Sequence, residues 1–382
     1  MDERAERERR YERGDDAWPL GSAEWEAAAR DALTREAFDY LAGGAGEEST
    51  MEANRAAFER WRLAPRMLTG NAERDLSVEV LGTRSPVPFL LAPIGVQGIM
   101  HPDGELATAD AAAATRVPMV VSSAASRSTE ETAARLGEAP WWFQLYWVND
   151  REVAASFVSR AEAAGARAIV LTVDTLTIGF RDRDQRNSAY LPFLEGEGIG
   201  QFVSDPVFRS RLSVPPEEDM AAAGMAMVAM FPHLALSWDD LGWLRERTGL
   251  PVLLKGILRG DDAVRARDAG AAGVVVSNHG GRQVDGEIAA LDALPEVRDA
   301  LGDAFPVLVD SGVRRASDIL KALALGANAV LLGRPYAWGL AAGGSAGVRR
   351  VIETLRGELD VVTALCGLRR PTEADRDLLR PV

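Results

Sequence analysis

The sequence predicts an α/β fold of the TIM (β/α)8 barrel class, with an N-terminal helical extension and a long lid-like insertion after strand 4. Three observations predict it. Eight short apolar runs of strand length follow one another from Phe89 to Arg334. Ala-rich segments of helical character, several closed by glycine, alternate with them, as repeated βα units require. The region from Pro88 to Pro335 is near the ~250 residues typical of this barrel, whereas an open doubly wound sheet would carry a glycine-rich phosphate loop after its first strand, and none follows Pro93.

In chain order, residues 1–16 are densely charged and lack an apolar h-region, so they read as a mobile arm and not as a signal peptide. Residues 17–382 read as one domain. Its first part, 17–87, holds helical stretches at Ala23–Leu41 and Met51–Trp61 and a β-like piece at Asp75–Leu81, which together plug or flank the barrel of 88–382. The eight runs are Phe89–Pro93, Pro118–Ser122, Trp142–Tyr146, Ala168–Asp174, Pro251–Gly256, Gly273–His279, Pro306–Gly312 and Ala329–Arg334. Helices are expected at Asp103–Arg116, Arg151–Gly165, Asp261–Gly270 and Ala316–Gly326. The insertion, 181–236, carries Gly196, Gly198, Gly200, Pro206, Pro215 and Pro216, which suggests a shaped lid and not a helix. Ser237 then opens the next helix, with Asp240 three residues on in a capping-box-like role.

Composition excludes several classes of function. A net charge of −14 argues against a nucleic-acid partner, because neutralising phosphates needs a basic surface. No apolar run approaches the ~18 residues of a membrane span, so no membrane partner is expected. With Cys366 the sole cysteine, no internal disulfide can form, and a cytoplasmic protein is the simpler reading. His101 precedes a probable helix start and His233 lies in the insertion; neither has companions at metal-ligand spacing, so no metal site is expected.

A barrel builds its active site at the C-terminal ends of its strands. Here those ends are polar: Gln144 and Tyr146 on the third, Thr172 and Asp174 on the fourth, Lys255 on the fifth, Asp310 on the seventh, Gly333 and Arg334 on the eighth. The sixth carries the sharpest motif, S-N-H-G-G-R-Q from Ser277 to Gln283. Its glycines let the chain turn tightly, so that His279 and Arg282 point into one pocket. A His beside an Arg suits an anionic substrate that must lose a proton: guanidinium grips a carboxylate with a bidentate fork, and imidazole titrates near neutral pH. Each has a lesser rival reading when taken singly: Tyr40 as a helix-packing aromatic, Tyr146 as a core residue, Lys255 as a solvated strand end, and Asp310 with Arg314 as a surface pair.

With these motifs the sequence resembles the FMN-dependent L-2-hydroxy acid oxidizing family. The likeness runs from about Ala23 to the C-terminus and is carried by Y-L-A-G-G from Tyr40, A-P-I-G from Ala92, F-Q-L-Y from Phe143, L-T-V-D from Leu171, L-L-K-G from Leu253, D-S-G-V-R from Asp310 and G-R-P-Y-A-W-G from Gly333. The resemblance implies FMN as cofactor and a small 2-hydroxy acid and O2 as partners. It implies that His279 removes a substrate proton, with Asp174 stabilising the imidazolium. Arg181 and Arg282 would hold the carboxylate, with further hydrogen bonds from Tyr40 and Tyr146. Lys255 would sit near the flavin N1 and O2, where negative charge gathers. Ser122, Gln144, Thr172 and Ser277 would give polar contacts to the cofactor, and Pro93, Ile94 and Gly95 would line the other face of its ring. Asp310 would bind the ribityl chain, and Gly312, Arg314, Gly333 and Arg334 the phosphate. A homo-oligomer, a tetramer or octamer, is also implied.

Within that family the cues resemble the lactate 2-monooxygenase branch. They are A-P-I-G-V with Gly95, P-F-L-E-G from Pro192, S-D-P-V-F from Ser204, and G-R-P-Y-A-W-G. On this reading lactate becomes acetate, carbon dioxide and water, with Gly95 giving extra space beside the flavin; an oxidase releasing 2-keto acid and peroxide is the alternative. Ala124, where several relatives carry a bulky residue, leaves room for a longer acid. Two other classes compete: an isomerase on a flavin-binding barrel, which would not need the Arg181 and Arg282 pair, and a non-catalytic flavin binder.

Overall fold

A computed structural model describes residues 18–187, 191–231 and 233–382; the charged arm at 1–16 lies outside them. Helices Ser22–Ala32, Arg35–Ala42 and Ser49–Glu59 come first, then strand β1 (Trp61–Leu63) and a hairpin of β2 (Val78–Val80) and β3 (Thr83–Ser85). The single helix expected at Ala23–Leu41 is two. Thr34 interrupts it, extended and accepting a hydrogen bond from Ala37 N (3.2 Å) as an N-cap.

Eight parallel strands then close a barrel: β4 (Phe89–Leu91), β5 (Met119–Ser122), β6 (Trp141–Tyr146), β7 (Ile169–Thr172), β8 (Val252–Ile257), β9 (Gly273–Val276), β10 (Val307–Val309) and β11 (Ala329–Leu332). Each pairs with the next, and β11 closes on β4. All eight apolar runs are strands, in order. Their near-continuous apolar character follows from burial on both faces. Leu90, Val120, Trp142, Val170, Leu253, Val275, Leu308 and Leu331 fill the barrel, while their neighbours Leu91, Val121, Phe143, Ile169, Leu254, Val274 and Val309 face the helices.

The hairpin stops the N-terminal end of the barrel. Val80 packs with the interior cluster, Val78 and Leu81 against it, and Trp142 Nε1 donates to Thr83 Oγ1 at 2.9 Å. The end of the chain returns to the start: β12 (Leu379–Pro381) pairs antiparallel with β1.

The insertion is neither loose nor free of helix. Helices at Gly200–Val203, Pro206–Arg209 and Met220–Met230 overturn the expectation of a lid without helix. Asp205 caps the second, accepting from Val207 N and Phe208 N (both 2.9 Å), and Asp219 caps the third through Ala222 N. Ile199, Phe202 and Phe208 are buried, with Phe202 edge-on to both Phe157 and Phe208. So the part from about 199 to 208 belongs to the barrel's helical layer, and the following helix covers the barrel mouth. The Ser237 cap is present, its N–H and hydroxyl both donating to Asp240 Oδ2. No helix among the described residues is long and apolar enough to cross a membrane.

Candidate active site at the C-terminal barrel mouth

His279 follows β9 by three residues. Its backbone is left-handed (φ 57°), and with Gly280 (67°) and Gly281 (75°) it turns the chain back at the rim. A Cβ on Gly281 would lie 2.7 Å from Met51 N, so close approach of the N-terminal helix also demands glycine there. His279 Nδ1 bonds Asp174 Oδ1 at 2.8 Å and lies 3.1 Å from Thr175 Oγ1. An ionised Asp174 fixes the ring proton on Nδ1 and leaves the Nε2 lone pair as an acceptor. Nε2 lies 3.3 Å from the Tyr146 hydroxyl.

The charges below this pair are interlocked. Lys255 Nζ donates to Ser277 Oγ at 2.7 Å and lies 3.6 Å from Asp174 Oδ2 and 3.3 Å from Asp310 Oδ2. Gly256 permits this: at φ 111°, a Cβ there would fall 2.5 Å from Asp174 Cβ. Burial disfavours the Asp174 charge, but Lys255 and His279 outweigh it and hold the carboxyl down at about 2. Burial likewise opposes the Lys255 charge, and Asp174 and Asp310 overcome it and raise its pKa. Burial also pulls His279 below its ordinary value, with Asp174 opposing and Lys255 reinforcing that fall. The imidazole is therefore neutral near pH 7. Burial pushes Tyr146 up to about 12, so its hydroxyl keeps its proton.

A second group gathers around the end of helix Arg35–Ala42. Two guanidinium groups lie over the Tyr40 ring, Arg282 at 5.1 Å and Arg181 at 5.7 Å from its centroid. Arg282 Nη1 donates to the carbonyls of Tyr40 (2.7 Å) and Gly43 (2.9 Å), and Arg334 reaches Leu41, Gly43 and Gly280 carbonyls. The C-terminus of helix Arg35–Ala42 thus anchors both cations, as its partial negative charge favours. Arg282 is pushed down to about 9, first by burial and then by Arg181.

These residues surround a cavity of about 420 Å³. Of the residues singled out in the sequence, Tyr40, Pro93, Ile94, Gly95, Tyr146, Arg181, Lys255, His279, Arg282, Asp310, Gly312, Arg314, Gly333 and Arg334 line it. Ser122, Gln144, Thr172, Ser277 and Asp174 do not; they form the layer beneath. There Ser122 Oγ donates to Gln144 Oε1 (3.0 Å), and Gln144 Nε2 donates to Thr172 Oγ1 (2.9 Å). Sequence reasoning missed Thr175, Asp184, Ser311 and the apolar wall of Leu191, Phe193, Met227, Val228 and Phe231. Thr175 adjoins Asp174 and could have been found by reading one residue past the strand. Asp184, 3.6 Å from Arg181, left no such signal.

Gly95 departs from its expected role. A Cβ there would stand 2.7 Å from the Ala124 carbonyl and 2.9 Å from Ala124 Cβ. Glycine is needed because two loops touch at this point, so it is no evidence of added space for a monooxygenase.

The chain belongs to the FMN-dependent dehydrogenase family, whose description matches residues 29–381. It is 46% identical over 364 residues to an L-lactate oxidase of Nostoc sp., spanning 94% of this chain and 98% of that protein. It is 44% identical to 2-hydroxyacid oxidase 1 of Homo sapiens, with 94% and 95% covered. The crystal structure of a mandelate oxidase superposes with a TM-score of 0.84 at 41% identity, over 95% of this chain and 98% of that one.

FMN is the cofactor, and the residues present fit it. Arg314 is pushed down to about 10, chiefly by burial and then by Arg55; Arg334 falls to about 9, by burial and then by Arg314. Charged guanidinium groups crowded out of water call for an anion such as phosphate. Gly333 caps the N-terminus of the helix beginning at Arg334, and a Cβ there would meet only Ile94 Cδ1, at 4.0 Å, which leaves a cradle at a positive helix end.

Proposed function

We propose that the chain oxidises an L-2-hydroxy acid to the 2-keto acid, with dioxygen as the final electron acceptor. One observation carries this reading: His279 shares a cavity with Arg181 and Arg282, whose guanidinium groups both lie over the Tyr40 ring. A base beside a carboxylate clamp is what removal of a proton from a hydroxy acid needs, and an isomerase would not. The oxidase names of the relatives support it.

In this reading the two guanidinium groups bind the substrate carboxylate, and the Tyr40 and Tyr146 hydroxyls orient carboxylate and hydroxyl. His279 takes a proton at Nε2, and ionised Asp174 stabilises the resulting imidazolium through Nδ1. FMN, when bound, would take up the two electrons with the second hydrogen and would pass them to dioxygen, which with the proton held by His279 would leave as hydrogen peroxide. Lys255, held charged by two carboxylates, offers a fixed cation to the negative charge of the reduced ring. Pro93, Ile94 and Gly95 line one ring face; Ser122, Gln144, Thr172 and Ser277 are assigned its polar contacts. Asp310 is assigned the ribityl chain, and Gly312, Arg314, Gly333 and Arg334 the phosphate. The substrate side chain faces Ala124, Val228 and Phe231, a compartment that accepts lactate and larger apolar side chains.

A second reading keeps the monooxygenase outcome. The helix Met220–Met230 roofs the cavity, and lid opening controls many product releases. If the keto acid stays, peroxide attacks its carbonyl, carbon dioxide departs, and a shortened acid and water remain. Product analysis with L-lactate and L-mandelate under air separates the two. Keto acid and peroxide in equal amounts establish the oxidase; acetate or benzoate with little peroxide establishes the monooxygenase; no turnover of either acid, or of longer ones, sinks both.

A further inference from the structure

The Ile94–Gly98 loop, on which the cavity depends, is held in an unfavourable shape. Val96 is left-handed (φ 58°), a conformation that a β-branched residue rarely takes. Its N–H donates to the Ala124 carbonyl at 2.9 Å, and both residues line the cavity. Something must over-determine this geometry.

Glu105 does so. It is the first residue of helix Glu105–Thr115 and is fully buried, and no part of the reaction described above uses it. Its Oε1 accepts two backbone N–H groups from different loops, Gln97 (3.2 Å) after β4 and Ser126 (3.1 Å) after β5. Ser126 Oγ in turn accepts from Gly98 N and from Gly198 N of the insertion, each at 3.1 Å. Gly200 N adds a bond to the Ala125 carbonyl at 2.8 Å. Two loops beside the cavity therefore meet at one carboxyl group, and the insertion joins them through Ser126 and Ala125. Glu105 Oε2 has no hydrogen-bond partner.

We propose that Glu105 is a positioning residue that locks the Ile94–Gly98 loop, the Ala124–Ser126 loop and the insertion into one wall of the reaction chamber, and so sets how tightly the substrate side chain is held. Glu197, on the insertion, packs on the same wall: a Cβ on Gly98 would overlap its carboxylate. The titratable groups that face Glu105 are Glu197 and the Tyr336 hydroxyl from the helix after β11. Burial, with a smaller push from Glu197, raises Glu105 to about 7. Ionisation strengthens the two N–H bonds to Oε1 but leaves a charge in a buried site beside Glu197, so the hold on the wall changes as pH passes about 7.

The inference rests on the reading of the cavity as a 2-hydroxy acid site. The test measures KM, kcat and melting temperature of the FMN-loaded enzyme from pH 6 to 9. Glu105→Ala removes both backbone bonds and is expected to raise KM about tenfold, with kcat within about threefold. Glu105→Gln keeps an uncharged acceptor and is expected to hold the KM of the parent at low pH while losing the parent's change across pH 7. Ser126→Ala, which frees only Gly98 and Gly198, is expected to raise KM about threefold and keeps the test decisive should Glu105→Ala not fold. Lower melting temperatures with parental KM values and an unaltered pH dependence would mean that Glu105 supports the fold alone, and the proposal fails. Failure of any 2-hydroxy acid to turn over in the parent overturns the functional reading as well, and is thereby distinguishable.

Discussion

The two ends of the barrel are built on opposite terms. At the N-terminal end, the β2–β3 hairpin seals an interior of Leu, Val and Trp side chains, and the buried indole N–H of Trp142 is satisfied by Thr83. At the C-terminal end, His279, Val96 and Ser311 are left-handed, Asp174 Oδ2 is buried without a hydrogen-bond partner, and Arg282, Arg314 and Arg334 crowd together out of water. One end is sealed and apolar, the other open and charged, and although Leu81 in the hairpin turn is also left-handed, such residues gather at the open end. Their strain is tolerated because the same strands belong to both ends, so stability from the sealed end holds the open end in a geometry it would not adopt alone.

That contrast should break cleanly under mutation. His279→Ala is expected to slow flavin reduction by about 100-fold to 10,000-fold while leaving FMN bound and the melting temperature little changed; rapid-mixing absorbance at the flavin band reads both. Trp142→Ala should do the reverse. Removing a fully buried indole costs about 3–5 kcal/mol, measured by denaturant unfolding, and the molecules that remain folded should reduce their flavin at the parental rate. If Trp142→Ala slowed chemistry as much as His279→Ala does, the two ends would not be separable.

Arg282→Lys is a smaller perturbation within the open end. An ammonium cannot bond the Tyr40 and Gly43 carbonyls and a carboxylate in the same plane, so KM for the hydroxy acid should rise by about 10-fold to 100-fold, with less effect on kcat. The mildest effect concerns pH. Because burial lowers the His279 pKa, kcat/KM should rise with pH through a midpoint below 6.5, as the imidazole loses its proton. Asp174→Asn removes the charge that opposes this fall, and the midpoint should move lower still. The lowered Asp174 pKa also contributes stability that is present above about pH 4 and is lost as pH falls toward about 2, which acid unfolding of the parent against Asp174→Asn would display.

The sealed end was the more legible of the two in the sequence. Continuous apolar runs marked all eight strands, because burial on both faces leaves no polar period to obscure them. The helix Met220–Met230 escaped notice because its sequence, M-A-A-A-G-M-A-M-V-A-M, is apolar all round and lies among prolines and glycines that signal a loop. The break at Thr34 was hidden by helical periodicity on both sides. At the open end, motif residues such as His279 and Lys255 stood at strand ends where a barrel places its chemistry. Asp184 and the apolar roof did not, since their place depends on how the insertion folds back, whereas Thr175 lay one residue past Asp174 and could have been read there. Gly95 misled for a related reason: its neighbour Ala124 is 29 residues away in sequence, and only the fold brings them together.

The most direct test of the account is anaerobic mixing of the FMN-loaded protein with L- and D-2-hydroxy acids of increasing side-chain size. The account predicts that L-acids bleach the flavin stoichiometrically, that D-acids do not, and that His279→Ala slows the bleaching at saturating substrate by about 100-fold or more. A flavin that stays oxidised with every L-acid, or one bleached equally by both enantiomers, would contradict it.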